Sequence, residues 1–255
     1  MKFAWSALAV AVFAYAAVCA LLYFKQRDMM YYPRFTRVDA VQTDFSMERD
    51  GAVLRGWVVH PGRPKAIVYF GGNGESVQGN REDFSRWFPD HSVYLVAYRG
   101  YGASDGEPDE RALFADALAV FDRARAEHPD RPVAVIGRSL GSGVAAYVAS
   151  QRPVDRLVLV TPFDSLADVG QAHYPWLPVR WLARDRYDSV ANLARYEGPL
   201  LVVRAGRDEV IPAANTARLV ASLRKPPRSL TLPQAGHNDL NAYPEYGEAL
   251  SAFLR

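Results

Sequence analysis

The chain has 255 residues, 49% of them hydrophobic, so it can bury a large core and still form one domain, because α/β folds often reach this size. Its 30 Lys and Arg against 28 Asp and Glu leave a net charge of +2, which gives no support for a nucleic-acid or acidic partner. The one cysteine, Cys19, lies in the apolar N-terminus, which excludes an intrachain disulfide and a cysteine-based metal site.

Residues 3–24 carry no charge and would form a helix of about 33 Å, enough to cross a hydrocarbon core. Residues 1–25 are therefore expected to be an N-terminal membrane anchor, one transmembrane helix ahead of the folded domain. A cleaved signal peptide is the competing reading, because Lys2 supplies a charged start and Ala14-Tyr15-Ala16 resembles a small-x-small cleavage site. The apolar run continues through Tyr23 and Phe24, longer than a signal core and ending in an aromatic pair suited to the interface, which favours the anchor. Lys25, Arg27, Arg34 and Arg37 follow the span and Lys2 precedes it, so positive-inside counting leans towards a cytoplasmic domain. Residues 26–39 read as a juxtamembrane connector and 40–255 as the domain.

Residues 41–47 and 52–59 are strand-like runs flanking Arg49-Asp50-Gly51, a hairpin signal. Further strand runs fall at 66–70, 93–98, 133–136, 157–160, 200–204 and 228–232, and helical patterns at 109–127, 140–151, 212–223 and 243–254. Asp109 stands where the first of these helices needs a cap, with Glu110 in its first turn. Strands alternating with helices predict an α/β fold with a mostly parallel central sheet and helices on both faces. Residues 162–197 exceed a simple crossover and carry Phe163, Tyr174, Trp176, Trp181 and Tyr187. They read either as a lid or acyl-binding wall or as ordinary helix packing.

Gly137-Arg138-Ser139-Leu140-Gly141 joins the fifth strand run to a small-residue helix, the context of a nucleophile elbow. A serine hydroxyl needs a base, and of the five histidines His237 is best placed, in a loop directly after the last strand with Gly236 beside it. The base needs an orienting acid. Asp208, after the strand at 200–204, gives the order Ser, Asp, His expected of this topology, and Asp164, after the preceding strand, competes with it. Gly71-Gly72-Asn73-Gly74 follows the strand at 66–70, so the backbone amides of Asn73 and Leu140 are candidates for the oxyanion hole. No P-loop lysine follows these glycines, which disfavours nucleotide binding.

These motifs, with Tyr98-Arg99-Gly100-Tyr101-Gly102-Ala103-Ser104-Asp105-Gly106, Pro162-Phe163-Asp164-Ser165, Gly206 to Pro212 and Gly236-His237-Asn238, resemble the membrane-anchored α/β-hydrolases of the Bem46 and ABHD13-like group. The resemblance covers nearly all of residues 28–255. It implies an α/β-hydrolase fold, an N-terminal anchor, and Ser139, Asp208 and His237 as a catalytic triad, with Arg99, Tyr101 and Gly102 as structural neighbours. One departure is plain: relatives commonly have His-Gly-Asn where this chain has Gly71-Gly72-Asn73. The expected activity is serine hydrolysis of ester or thioester bonds in a small-molecule or acyl substrate, through an acyl-enzyme and without metal or nucleotide cofactor. A peptidase or amidase of the same fold, or a non-catalytic hydrolase-like membrane protein, is the alternative.

Overall fold

In a computed structural model, which describes residues 2–255 and Lys2 by its backbone alone, the chain opens with a 29-residue helix, α1 (Lys2–Met30). It is long and apolar enough to cross a membrane. The helix runs five residues past the anchor boundary expected at 25, so residues 26–30 are helical rather than connector. This last part docks on the domain through polar side chains, Gln26 donating to the Leu182 carbonyl and Arg27 to Asp185.

The hairpin follows as β1 (Phe45–Arg49) and β2 (Ala52–Val59), antiparallel, with Asp50 and Gly51 both at positive φ (46° and 75°). That pair of angles is what a two-residue turn matching the strand twist requires. The first strand begins later than the pattern at 41–47 suggests. Residues 40–42 instead wind into a 3-10 turn whose Gln42 carbonyl accepts from the Trp57 indole at 2.6 Å, leaving Val41 in solvent.

β3 (Lys65–Phe70), α2 (Arg81–Trp87), β4 (His91–Val96), α3 (Glu110–Glu127), β5 (Val133–Arg138), α4 (Leu140–Gln151) and β6 (Leu157–Val160) come next. The 162–197 stretch holds three short helices, α5 (Leu166–His173), α6 (Val179–Leu182) and α7 (Ser189–Leu193). β7 (Leu200–Ala205), α8 (Ala213–Ser222), β8 (Arg228–Leu232) and α9 (Pro244–Leu254) complete the chain. Asp109 caps α3, accepting from the Ala112 amide at 2.8 Å, and Leu113, Ala117, Val120 and Phe121 form its buried stripe.

The strands form one eight-stranded sheet in the order β1-β2-β4-β3-β5-β6-β7-β8, antiparallel across β1, β2 and β4 and parallel from β4 to β8. β3 to β6 are buried at nearly every position, as strands covered on both faces must be. α3 packs on α4, α2 packs on α9 through an edge-to-face contact of Trp87 with Tyr246, and Phe84 of α2 meets Tyr69 of β3 edge to face. The direction of strand addition reverses at β3: the chain adds β4 on one side and β5 on the other. The crevice beyond the carboxyl ends of strands at such a reversal is where open α/β sheets bind ligands. Gly71 to Glu75 and Ser139 emerge there, side by side.

Candidate active site

Ser139 stands between β5 and α4 with φ 51° and ψ −118°, a conformation that costs a non-glycine residue about 1–3 kcal/mol. Three hydrogen bonds hold it there. Its amide donates to the Val160 carbonyl at 2.9 Å, and its carbonyl accepts from the Ser142 amide and hydroxyl at 2.8 and 2.6 Å. The flanking glycines have no substitute in this packing. A Cβ on Gly137 would sit 2.3 Å from the Gly141 carbonyl oxygen, and one on Gly141 would sit 2.0 Å from that of Phe70.

His237, 98 residues away, brings Nε2 to 2.9 Å from the Ser139 oxygen, and its Nδ1 lies 2.9 and 2.8 Å from the two Asp208 oxygens. A carboxylate can only accept, so Nδ1 carries the proton and donates, leaving the Nε2 lone pair to accept from the serine hydroxyl. Asp208 is held in turn by the Val210 and Ile211 amides at 2.9 and 2.7 Å, and the His237 loop is closed by the Gly236 amide donating to Asp239. Both Ser139 and His237 are buried.

Asp164, the competing acid, is committed elsewhere. Its carboxylate accepts from the Ser165 amide, the Asn215 amide and the Arg218 guanidinium at 2.8, 2.8 and 2.6 Å, tying the start of the 162–197 stretch to α8. The remaining histidines also bond away from Ser139: His60 with Ser85, His128 with Tyr94, and His173 with the Val210 carbonyl. His91 lies buried at the start of β4.

The Gly71 to Glu75 loop lies against the elbow, where a Cβ on Gly72 would come 3.5 Å from that of Ser139. Leu140 is the first residue of α4, so its amide has no intrahelical acceptor and is free to act as a donor. Asn73 contributes more than a backbone amide. Its side-chain nitrogen donates to the Met30 carbonyl at the end of α1, and its oxygen accepts from the Tyr101 hydroxyl at 2.7 Å and the Tyr32 amide at 3.3 Å. Sequence reading did not find this link between α1 and the loop. The one local hint is Tyr31-Tyr32, just past the end of α1.

Arg138, the variable residue of the elbow motif, was also missed. Its guanidinium donates to Glu75 at 2.9 Å, to the His237 carbonyl at 3.1 Å and to the Asn238 side chain at 3.0 Å. Glu75 accepts in addition from the Gly72 amide and the Tyr69 hydroxyl, both at 2.6 Å, and from Asn80 at 2.7 Å. Burial alone would raise the Glu75 carboxyl, but Arg138, Tyr69, Gly72 and Asn80 together hold it below the usual carboxylate range. One ion pair thus ties the elbow, the Gly72 loop and the histidine loop together. Arg99 pairs with Asp116 on α3 through two bonds of 2.8 and 2.7 Å. Among the described residues, no group of three or more His, Cys, Asp or Glu is placed to hold a metal ion.

A family model for the alpha/beta hydrolase fold matches residues 58–193. An uncharacterized protein of Mycobacterium tuberculosis is 36% identical over 245 residues, which cover 91% of this chain and 87% of that protein. The lysophosphatidylserine lipase ABHD12 of Macaca fascicularis is 31% identical over 184 residues, 64% of this chain and 46% of the lipase. A solved esterase of Pyrococcus furiosus superimposes with a TM-score of 0.66 over 88% of this chain and 97% of its own, at 18% identity, a likeness of fold.

Proposed function

The chain belongs to the alpha/beta hydrolase family, and from that premise we propose that it is a membrane-anchored serine hydrolase acting on ester or thioester bonds, with Ser139, His237 and Asp208 as its triad. The observation that carries the reading is the continuous hydrogen-bonded chain from Ser139 through His237 to Asp208, with the serine on a strained elbow at the sheet's reversal point. As the serine oxygen attacks the acyl carbon, His237 Nε2 takes its proton, and the Asp208 carboxylate stabilises the resulting imidazolium. The charge that develops on the carbonyl oxygen falls to the Asn73 and Leu140 amides. His237 then returns the proton to the leaving group. Water attacks the acyl-enzyme by the same route, releasing the acid and restoring the serine.

A lipid-like acyl substrate is favoured by the apolar α1 beside the site and by kinship with a lipase named for lysophosphatidylserine. The motif set supports placing the chain in the Bem46 and ABHD13-like branch. Lys25, Arg27, Arg34 and Arg37 after the span, against Lys2 before it, favour a cytoplasmic catalytic domain by positive-inside counting. Hydrolysis by wild type and Ser139→Ala across p-nitrophenyl esters of increasing chain length, acyl thioesters and peptide amides tests the substrate class. Ser139-dependent turnover rising with chain length is expected. Preference for the shortest acetyl ester contradicts a lipid-like acyl site, and preference for amides contradicts the bond type.

A further inference from the structure

α1 does not stand apart from the domain. Tyr15, in the middle of its apolar stretch, donates its hydroxyl to the Trp176 carbonyl at 2.9 Å. Lower down, Gln26 donates to the Leu182 carbonyl at 3.1 Å and accepts from the Arg184 amide at 2.7 Å, and the Arg184 guanidinium lies over the Tyr23 ring. The 174–182 segment therefore runs alongside α1 from Gln26 up to Tyr15.

This contact fixes a depth. If residues 3–24 span the bilayer, Phe24 marks one hydrocarbon boundary, and Tyr15, nine residues earlier, lies about 13 Å inside it, close to the midplane of a core of about 30 Å. An ordinary helix tilt of about 20° changes that depth by less than a tenth. Whatever is bonded to Tyr15 must share its surroundings.

The segment is built for them. Irregular backbone survives in hydrocarbon only where its polar groups are paired. Gln171 donates to the carbonyls of Tyr174, Pro175 and Leu177 at 3.2, 3.4 and 2.8 Å, while Tyr15 and Gln26 occupy those of Trp176 and Leu182. The Leu177, Val179, Trp181 and Leu182 amides bond within the segment, and Pro175 and Pro178 have no N–H. Trp176 is 62% and Trp181 90% exposed, with Tyr174 and Arg180 exposed beside them. Trp181, next to Leu182 and Gln26, lies level with the Phe24 boundary, where tryptophan is favoured, and Trp176 lies deeper beside Tyr15. The one charge, Arg180, is neutralised by an ion pair with Asp168.

We propose that the 174–182 segment is a second membrane contact, with Trp176 inserted into the acyl region of the leaflet that receives the C-terminal half of α1 and Trp181 at that leaflet's boundary. The inference rests on the reading of α1 as a membrane span. The same structure that meets the bilayer borders the catalytic crevice: His173 at the end of α5 bonds the Val210 carbonyl beside Asp208, and α1 ends on Asn73. The serine site is thereby seated at the bilayer surface, in reach of an ester held in the leaflet.

Depth-resolved quenching tests this in the full chain. Trp176→Cys, Val12→Cys and Arg125→Cys, each in a Cys19→Ser background, are labelled with an environment-sensitive fluorophore. They are then reconstituted in phosphatidylcholine and phosphatidylglycerol vesicles carrying nitroxides either on the headgroup or on the acyl chain. Labels at 12 and 176 are expected to be quenched more strongly by the acyl-chain nitroxide, and the label at 125, on the exposed face of α3, by neither. Quenching at 12 with a label at 176 open to aqueous iodide overturns the inference and leaves the span standing. No quenching at 12 overturns the span and the inference together. Neither result depends on turnover, so both are separable from a failure of the hydrolase reading.

Discussion

The Arg138 guanidinium donates to the Glu75 carboxylate at 2.9 Å, although 63 positions separate them, and the pair joins the two loops that flank Ser139. Glu75→Gln keeps the shape and removes the charge. Breaking a buried ion pair costs about 3–5 kcal/mol, so the variant is expected to unfold at lower denaturant than wild type at neutral pH. The folded-state carboxyl lies below its usual range, so the pair's stabilisation is present above the unfolded-state value and lost as pH falls through the folded one. The gap between variant and wild type therefore narrows in acid. Urea titrations at neutral and acid pH check this, and a gap that widens in acid would contradict it. The kcat of the variant is expected to fall by about tenfold or more, because Gly72 and His237 lose a shared tether.

Asp208 and Asp164 separate by what they hold. Asp208→Asn no longer fixes Nδ1–H on His237, and kcat is expected to fall by about 10⁴ with the fold intact, the cost of a wrong tautomer in a serine triad. Asp164→Asn loses its ion pair with Arg218 and is expected to keep kcat while melting earlier. Thermal melts and single-turnover kinetics on both variants make the comparison, and the opposite assignment would appear as the opposite pattern.

Much of this architecture was readable because its signals are local. Residues 133–136 and 157–160 are unbroken apolar runs, α3 repeats Leu113, Ala117, Val120 and Phe121 at helical spacing, and Gly137 and Gly141 flank a serine between strand and helix. Ser139, His237 and Asp208 could be nominated because each follows a strand, and the structure brings those three side chains into hydrogen-bonding contact. What escaped was set by tertiary contact. α2 and the three short helices at 166–193 are too brief for periodicity to register, since helices of that length rely on packing rather than propensity. Arg138, an unassigned letter inside a motif, acquires its partners from loops 63 and 99 positions away. The helical continuation of α1 through 26–30 was hidden because Gln26, Arg27 and Asp28 look like an exposed connector until Asp185 and Leu182 are placed beside them.

Asn73→Ala retains the backbone amide and removes the bonds to Met30, Tyr32 and Tyr101. A loosened donor acts on the transition state more than on bound substrate, so kcat is expected to fall about tenfold with KM nearly unchanged. Steady-state kinetics distinguish this from a binding defect, which would raise KM instead.

The docking of α1 depends on Arg27, whose guanidinium forks onto both Asp185 oxygens at 2.9 and 2.8 Å while Tyr31 bonds the same carboxylate and Tyr187. Asp185→Asn is expected to free the 25–40 region for proteolysis in the detergent-solubilised full chain, at a protease concentration that spares wild type. Equal cleavage of both would contradict this docking.

The most direct test of the triad reading is active-site labelling of the full-length protein with a fluorophosphonate, with the modified residue located by mass spectrometry. Ser139 is expected to be the labelled residue in wild type, with labelling lost in Ser139→Ala and strongly slowed in His237→Ala. A folded wild-type protein whose Ser139 stays unmodified, or a Ser139→Ala variant that labels as well as wild type, would contradict the account.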